Sequence, residues 1–187
     1  MKKTATRTKV YQLKITLKNI KPPIWRRLLV PDCTLDDLHE MIQVAMGWDN
    51  YHLYAFSIAG QEFTRPDMDD GELNMADATA TWLTDVIGHE KQKFKYEYDF
   101  GDSWDHEILV EAIGEAEAGQ QYPVCVTGKR ACPPEDVGGA WGYVEFCQAM
   151  ADPKHKRHKE FVEWCGERDP EAFDPEEVNA MLRGIST

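Results

Sequence analysis

Five acidic side chains and one histidine lie between residues 97 and 107, with no lysine or arginine among them. Clustered carboxylates repel one another unless a cation or a hydrogen-bond donor compensates, and hard cations such as magnesium or calcium bind oxygen ligands of this kind. Asp102, Asp105 and His106 are therefore candidate metal ligands, and a divalent metal is a candidate cofactor. The alternative is that Asp102 caps a turn beside Gly101 while the other acids are hydrated. The sequence leaves both readings open.

The segment from 132 to 139, Cys-Pro-Pro-Glu-Asp-Val-Gly-Gly, is stiff at its start and permissive at its end. Its prolines fix φ, and its paired glycines allow the backbone to approach another group closely. Glu135 and Asp136 add two carboxylates between them. The pattern is typical of a loop that faces a ligand, and equally of a loop that crosses a sheet tightly. Cys132 is a weak candidate nucleophile, because neighbouring carboxylates disfavour the thiolate.

Both acidic segments are expected to form one binding site, with Asp99–Glu107 and Cys132–Tyr143 as the two walls of a cleft. Surface loops on a rigid scaffold are where binding groups concentrate. So many acids also need a compensating cation or donor. The candidates for that role are Arg26, Arg27, Lys129 and Arg130. The candidate binding residues are Asp99, Asp102, Trp104, Asp105, His106, Cys132, Glu135 and Asp136.

Three histidines, His39, His52 and His106, fall on or beside predicted apolar faces. If they met in space, a metal site or a general base would follow. A histidine on an apolar face is more often a core residue with one hydrogen bond. Whether the three meet is a question that the sequence leaves open.

Composition restricts the partner classes. The chain has 187 residues and a formal net charge of −12, which disfavours nucleic acid, because phosphate binding needs clustered lysine and arginine. An unknown protein or a small ligand is the expected partner. The basic run from Lys154 to Lys159 is expected to be hydrated rather than to bind phosphate, since no Trp or Tyr is interleaved with it.

Cell location and thiol chemistry follow from the same composition. No apolar run approaches the roughly 20 residues needed to span a bilayer, and the basic N-terminus has no apolar segment typical of a signal peptide. A cytoplasmic protein is therefore expected. The five cysteines are widely spaced and form no CxxC pair, so reduced thiols are expected and a structural zinc site is not.

Hydrophobic periodicity predicts an early helix among strands. Thr34 is the expected N-cap of that helix, and Gly47 is its expected end. Residues 64–80 are predicted to be an acidic loop, and residues 81–87 favour a helical turn. Strands are predicted at 11–17, 24–30, 52–58, 93–100, 104–113 and 124–126, and three helices after residue 140. The expected core includes Leu13, Ile15, Leu38, Ile42, Phe94, Tyr96, Tyr98 and Phe100.

This order of elements predicts one compact α+β domain, with a largely antiparallel sheet, one early helix and a helical C-terminal third. Residues 1–9 are expected to form a flexible basic tail, and residues 10–187 the single domain.

Several motifs in order carry a family resemblance. They are Pro23–Arg27, Leu35–His39 with Met46-Gly47-Trp48 and His52-Leu53, Tyr98–Ile108, Cys132–Gly139 with Gly142-Tyr143, and Phe173–Leu182. Together they resemble the plasmid pRi ORF-three-like family, hypothetical proteins of plasmids, insertion elements and bacterial chromosomes. The resemblance implies a compact α+β domain from about Tyr11 to Leu182 and an association with plasmid or mobile-element genomes. It implies no assigned catalytic residue.

The sequence is compatible with two functions. The first is a non-enzymatic binding or adaptor module, whose surface rich in tryptophan and carboxylates recognises a ligand or a protein. The alternative is a metal-dependent hydrolase that uses the clustered Asp, Glu and His of segments 99–107 and 132–139. An adaptor would expose an apolar patch with a polar rim, whereas a hydrolase would gather at least three carboxylates and a histidine.

Overall fold

The computed structural model describes residues 9–68 and 75–185. The predicted tail lies outside these ranges except for Lys9, which begins the first strand. The strands are β1 (Lys9–Leu17), β2 (Trp25–Pro31), β3 (Tyr54–Ile58), β4 (Gln61–Thr64), β5 (Ala76–Asp77), β6 (Lys93–Tyr98), β7 (Trp104–Glu115) and β8 (Val124–Lys129). The helices are α1 (Leu35–Met46), α2 (Leu83–Val86), α3 (Gly139–Ala151), α4 (His158–Cys165) and α5 (Pro175–Leu182).

All the strands of the described residues belong to one sheet, in the order β5-β4-β3-β6-β7-β1-β2-β8. Every neighbouring pair is antiparallel except β4 and β5, which are parallel. The predicted α+β class with a largely antiparallel sheet is therefore confirmed. None of the helices in the described ranges is long and apolar enough to cross a membrane.

One face of the sheet carries the core. Along β1, Tyr11, Leu13, Ile15 and Leu17 are buried, and the residues between them are only half-buried. This alternation follows from the period of two in a strand. Side chains of β2, β6 and β7 continue the same buried layer, which packs with α1 in one hydrophobic cluster.

Helix α1 begins with a reciprocal cap. The Thr34 hydroxyl accepts a hydrogen bond from the backbone N–H of Asp37, and the Asp37 carboxylate accepts one from the N–H of Thr34. The two bonds satisfy donors that a helix start would otherwise leave free. At its other end Gly47 takes a left-handed conformation with φ 91°. Both predicted ends of α1 are thus confirmed, and the chain leaves the helix toward the candidate site.

The hairpin β6–β7 presents the acids of the first segment at its turn. Phe94, Tyr96 and Tyr98 are buried as predicted. Phe100 is 37% exposed, so its predicted burial was wrong. The cause is Asp99, whose φ of 57° ends the strand's alternation before Phe100 is reached.

Two further predictions about strands need correction. His52 was expected on a buried face of the third strand, but β3 begins only at Tyr54 and His52 lies in the preceding connection. The acidic loop predicted at 64–80 contains a 3-10 turn, Pro66–Met68, and the short strand β5. Residues 69–74 of that loop lie outside the described ranges. The helical turn predicted at 81–87 is confirmed as α2.

Candidate functional site

The two acidic segments lie against each other. The backbone N–H of Gly138 donates a hydrogen bond of 3.0 Å to Oδ2 of Asp102. Gly139 approaches the same residue so closely that a Cβ there would lie 2.6 Å from the Asp102 carbonyl oxygen. Gly139 also has φ 65°, a region that favours glycine. The hairpin end and the Pro/Gly loop therefore adjoin each other, and their joint role as one binding site stays a prediction.

His52 lies among carboxylates from both segments. Its Nε2 is 3.2 Å from Oδ1 of Asp136 and 3.7 Å from Oδ2 of Asp99. Oε2 of Glu135 is 3.8 Å from the same nitrogen. Nε2 of His52 and Oε2 of Glu135 are both buried and make no hydrogen bond within the described part of the chain. Buried polar atoms normally have a partner, so these two atoms require an explanation.

Asp99 is held by the turn that follows it. Its Oδ1 accepts hydrogen bonds from the backbone N–H groups of Gly101 (2.9 Å) and Asp102 (3.3 Å). Its own N–H donates to the carbonyl of Leu53, which ties the hairpin end to the connection that carries His52. The local turn thus satisfies one carboxylate oxygen and leaves the other facing His52.

Glu135, like Asp99, has only one of its two carboxylate oxygens fixed by hydrogen bonds. Its Oε1 accepts hydrogen bonds from the backbone N–H of Asp49 (2.8 Å) and from the Tyr98 hydroxyl (3.1 Å). Desolvation by burial raises the pKa of Glu135, and the neighbouring Asp136 raises it further. The structure therefore holds Glu135 in a position where its negative charge is costly.

The loop that carries Asp136 is positioned by a hydrogen bond from Trp48 and by left-handed backbone conformations within the loop. The indole Nε1 of Trp48, just after α1, donates a hydrogen bond of 3.0 Å to the carbonyl of Pro133. Asp136 has φ 55° and Gly138 has φ 94°, so the loop folds back between them. The side chain of Asp136 remains 68% exposed, which leaves the cluster open to solvent on one side.

The cluster comes close to the geometry of a metal site. One ligand atom each from His52, Asp99 and Asp136 can be chosen so that all lie within 4.8 Å of one another. Bonds of about 2.0–2.2 Å put the ligands of one ion at most about 4.4 Å apart, so small side-chain movements suffice. A proton on His52 would supply one positive charge beside three carboxylates, whereas a divalent ion supplies two.

Comparison with known proteins identifies the family. The family model "Plasmid pRiA4b ORF-3-like protein" matches residues 9–181. The chain belongs to the plasmid pRiA4b ORF-3-like family. It is 45% identical over 161 residues to the uncharacterized protein y4hQ of Sinorhizobium fredii (strain NBRC 101917 / NGR234), an alignment that covers 86% of this chain and 82% of that relative.

A solved structure shares the fold of this chain. The crystal structure of MM3350, a protein of unknown function from Methanosarcina mazei Go1, superposes with a TM-score of 0.84 at 38% identity. The match covers 92% of this chain and 99% of that one. The predicted resemblance to this family is confirmed over nearly its whole expected length.

Within this plasmid pRiA4b ORF-3-like domain, Asp102, Asp105 and His106 do not assemble as the predicted ligand set. His106 is fully buried on the core face of β7, whereas Asp105 is half-buried on the opposite face. Adjacent residues of a strand point to opposite faces, so the two side chains cannot share an ion. Asp102 instead holds the Pro/Gly loop through Gly138.

Two other predicted site residues serve the core. Trp104 is 1% exposed, and its ring centroid lies 6.1 Å from that of Trp48. Cys132 is 9% exposed, and desolvation raises the pKa of its thiol to about 12. A thiol with so high a pKa is not a nucleophile at neutral pH. All five cysteines lie in the described ranges, and none forms a disulfide.

Each of the three histidines contacts a tyrosine of β6, but their surroundings differ. His39 lies with its Nδ1 2.8 Å from the Tyr96 hydroxyl, and His106 packs beside the same ring at 5.2 Å. His52 lies against Tyr98 at 5.8 Å. Desolvation lowers the pKa of both His39 and His106 to about 4. Both are therefore neutral core residues, and of the three only His52 lies among the site carboxylates.

The three arginines among the four basic residues predicted to compensate the acids have other partners. Arg26 is buried and donates to the carbonyl oxygens of Ala45, Trp25 and Lys129. Arg27 pairs with Glu111 at 2.6 Å, and Arg130 pairs with Glu171. The residue that instead lies among these carboxylates is His52, whose connection is tied to Asp99 by the hydrogen bond between the Asp99 N–H and the Leu53 carbonyl.

Sequence reasoning therefore considered His52 only in combination with His39 and His106 and left it out of the candidate binding residues, and it missed the supporting roles of Asp49 and Tyr98. The one usable signal was the position of His52, which follows the turn Trp48-Asp49-Asn50 at the end of α1. A turn between a capped helix and a strand places its residues at the sheet's edge, where loops meet.

Proposed function

We propose that this protein is a binding module whose site holds a divalent metal ion between His52, Asp99 and Asp136. The observation that carries this proposal is the buried Nε2 of His52, which has no hydrogen bond among the described residues and lies within 3.2–3.8 Å of three carboxylate oxygens. An imidazole nitrogen and carboxylate oxygens all present lone pairs, and an ion between them would satisfy each.

The ligand chemistry indicates the class of ion. Imidazole suits zinc, iron and related metals, whereas carboxylates suit manganese, magnesium and calcium. A set of one histidine and two aspartates fits Mn²⁺, Fe²⁺ or Zn²⁺ better than Ca²⁺, which takes 6–8 oxygen ligands. Glu135 lies beside this set and adds negative charge to it.

Mn²⁺ titration calorimetry on the metal-free protein tests the proposal. We expect binding of about one ion per chain, with the affinity lowered about 100-fold or more in His52→Ala and Asp99→Asn, since even outer-shell changes cost 10–100-fold. His89→Ala is the matched control, because His89 is exposed and its Nδ1 contacts the Glu90 carbonyl. Equal affinities for His52→Ala and the wild type would refute the site.

Metal-dependent hydrolysis is the second candidate, and Glu135 favours it. Three protein ligands leave coordination positions open, as in catalytic sites. Glu135 has a raised pKa and an unpartnered oxygen beside the ligands, within the described residues, so it would take the proton from a water molecule that attacks the substrate. A Mn²⁺-dependent hydrolysis of nitrophenyl esters or phosphodiesters, lost in Glu135→Gln with the ion still bound, would favour this function over simple binding.

The remaining expectations about the protein's setting are part of the same proposal. A cytoplasmic location is supported by five thiols that form no disulfide. An association with plasmid or mobile-element genomes is supported by the description of the family. An adaptor role is supported by the exposed Trp141, which lies near the site at the start of α3.

A further inference from the structure

A groove of about 690 Å³ lies where the β6–β7 turn meets the start of α3. Its walls include Asp102, Ser103, Asp105, Gly138, Trp141 and Val144. No lysine or arginine is among the described residues that line it. The groove is thus acidic on the hairpin side and apolar on the helix side.

The helix side exposes an unusual amount of apolar surface. Trp141 is 88% exposed and Val144 is 46% exposed. They are three residues apart in α3, so they lie on the same face of the helix. Scattered exposed apolar residues are ordinary, but an exposed tryptophan at the edge of a groove is typical of protein interfaces, where Trp, Tyr and Arg dominate the binding energy.

The hairpin side carries negative charges that repel each other. Asp105 lies directly opposite Glu97 in the β6–β7 pair, and like charges in that arrangement are destabilising. Desolvation raises the pKa of Glu97, Asp105 and Glu62 raise it further, and the charge of Lys95 offsets this only in part. On the side away from the groove, Lys18, Lys93 and Lys95 line an adjacent pocket with Asp105, and Lys93 pairs with Glu107 at 3.2 Å. A cation from outside would relieve the repulsion between Glu97 and Asp105.

We propose that this groove docks a protein partner through an arginine-bearing segment. The guanidinium would stack on the indole of Trp141 and donate hydrogen bonds to the carboxylate of Asp105. Arginine combines these two contacts because its planar group stacks on aromatic rings and matches a carboxylate with two donors. The net charge of −12 extends the same complementarity to the whole molecule.

A protein segment fits the groove better than a small amine. Pockets of 300–1,000 Å³ take ligands of drug size, and this volume is more than one guanidinium fills. The exposed faces of Trp141 and Val144 offer apolar contacts that only a longer ligand would cover. None of the groove's residues is a proposed ligand of the ion, and the two docking residues, Trp141 and Asp105, make no hydrogen bond to a proposed ligand among the described residues. Docking is therefore independent of the metal proposal.

Nuclear magnetic resonance of the full chain in EDTA tests this inference, because EDTA removes metal binding as a variable. The six tryptophans give six indole signals, and Trp141→Phe assigns that of Trp141. The probe is the capped peptide Gly-Ser-Arg-Leu-Arg-Ser-Gly, and its control has Gln in place of each Arg. We expect the arginine peptide, titrated to about 5 mM to reach millimolar affinities, to shift the Trp141 signal saturably.

Matched variants locate the contact. We expect Trp141→Ala and Asp105→Asn each to weaken peptide binding about fivefold or more, followed on the backbone signals of α3. Trp164→Ala is the control, since Trp164 is also exposed but lies in α4. Binding should weaken as salt rises, because the charges are exposed.

Four outcomes would overturn the inference. They are an unmoved Trp141 signal, an equal shift with the glutamine peptide, an equal shift with spermine, and a shift that depends on protein concentration without peptide. The third would mean a small amine as the occupant, and the fourth a second copy of this chain.

Discussion

Two site carboxylates each have one oxygen fixed by hydrogen bonds and the other directed at His52. Oδ1 of Asp99 and Oε1 of Glu135 each accept two hydrogen bonds. Their second oxygens point to Nε2 of His52. Such an arrangement fixes side-chain positions before any ligand arrives, and preorganisation of this kind lowers the entropy cost of binding.

Glu135→Gln should separate stability from metal binding. Gln keeps an oxygen that accepts hydrogen bonds from Asp49 and Tyr98, but it removes a desolvated negative charge. The free energy of unfolding of the metal-free variant should therefore be about 1 kcal/mol higher than that of the wild type. Its Mn²⁺ affinity should fall less than tenfold, because Glu135 is beside the ligand set rather than in it. Urea unfolding in EDTA measures the first effect. A less stable variant would show that Glu135 is already compensated in the folded protein.

Two buried histidines should make stability depend on pH. Burial holds the pKa of His39 and His106 at about 4 in the folded protein, against about 6.5 in the unfolded chain. Between these values the unfolded state binds more protons, so stability falls as pH falls. Each histidine accounts for on the order of 3 kcal/mol over that window.

Urea unfolding at a series of pH values checks this dependence. The expected loss begins near pH 6.5 and continues to about pH 4. Glu97 and Glu135 act in the opposite direction, because their raised pKa values favour proton binding in the folded state as pH falls. A free energy of unfolding that stays constant from pH 6.5 to 5 would contradict the burial of both imidazoles as neutral groups.

The sequence identified most of the acids of this site but not their partner. Asp99, Glu135 and Asp136 could be predicted because acids beside glycines, prolines and aromatics are conspicuous along the chain. His52 could not, because its role depends on a hydrogen bond between Leu53 and Asp99, which are far apart in the sequence. Contacts between distant segments are set by strand pairing, which periodicity does not specify.

At the scale of elements, the site depends on how the Pro/Gly loop enters α3. Gly139 fits against the Asp102 carbonyl only without a side chain. We expect Gly139→Ala to lower the free energy of unfolding by about 1–3 kcal/mol more than Gly119→Ala, because overpacking adds to backbone strain. Gly119 is the matched control, since it also has a positive φ but a Cβ added there would have nothing within 4 Å.

Chemical unfolding of the two glycine variants measures this difference, and Mn²⁺ titration adds an independent readout. A displaced loop moves Asp136, so Gly139→Ala should also bind Mn²⁺ more weakly than Gly119→Ala. Equal stability and equal affinity in the two variants would mean that the loop adapts without disturbing the site.

Local signals predicted single elements well and their ends less well. The cap at Thr34 and the glycine at 47 gave both ends of α1, because capping depends on residues that are adjacent in the chain. Phe100 was assigned to the core because alternation was extended past Asp99, whose left-handed backbone the pattern does not reveal. The parallel pairing of β5 with β4 was missed since it joins segments across a loop.

At the scale of the whole molecule, stability depends on the buried face of the sheet. Phe94 is 3% exposed within the central cluster, and we expect Phe94→Ala to lower the free energy of unfolding by about 3–5 kcal/mol. Phe100→Ala, at a residue 37% exposed on the same hairpin, should cost less than about 1 kcal/mol. Thermal or urea unfolding compares the two, and similar losses would mean that the hairpin's buried face has been assigned incorrectly.

The architecture also explains why the acids gather where they do. The turn of β6–β7, the connection before β3 and the loop before α3 meet beyond the end of Tyr98, whose hydroxyl contacts Tyr51 and Glu135. The sheet buries its apolar face and leaves its polar connections together at this edge. A metal ion here would join three separate segments of the chain, and it should therefore raise the unfolding temperature.

Anomalous diffraction from a crystal soaked in Mn²⁺ tests the metal proposal most directly. The structure predicts one strong manganese peak bonded to Nε2 of His52, Oδ2 of Asp99 and Oδ1 of Asp136, and no peak at that position in a crystal of His52→Ala. A soaked wild-type crystal with no manganese between these three side chains, or with manganese only at Asp102 and Asp105, would contradict it.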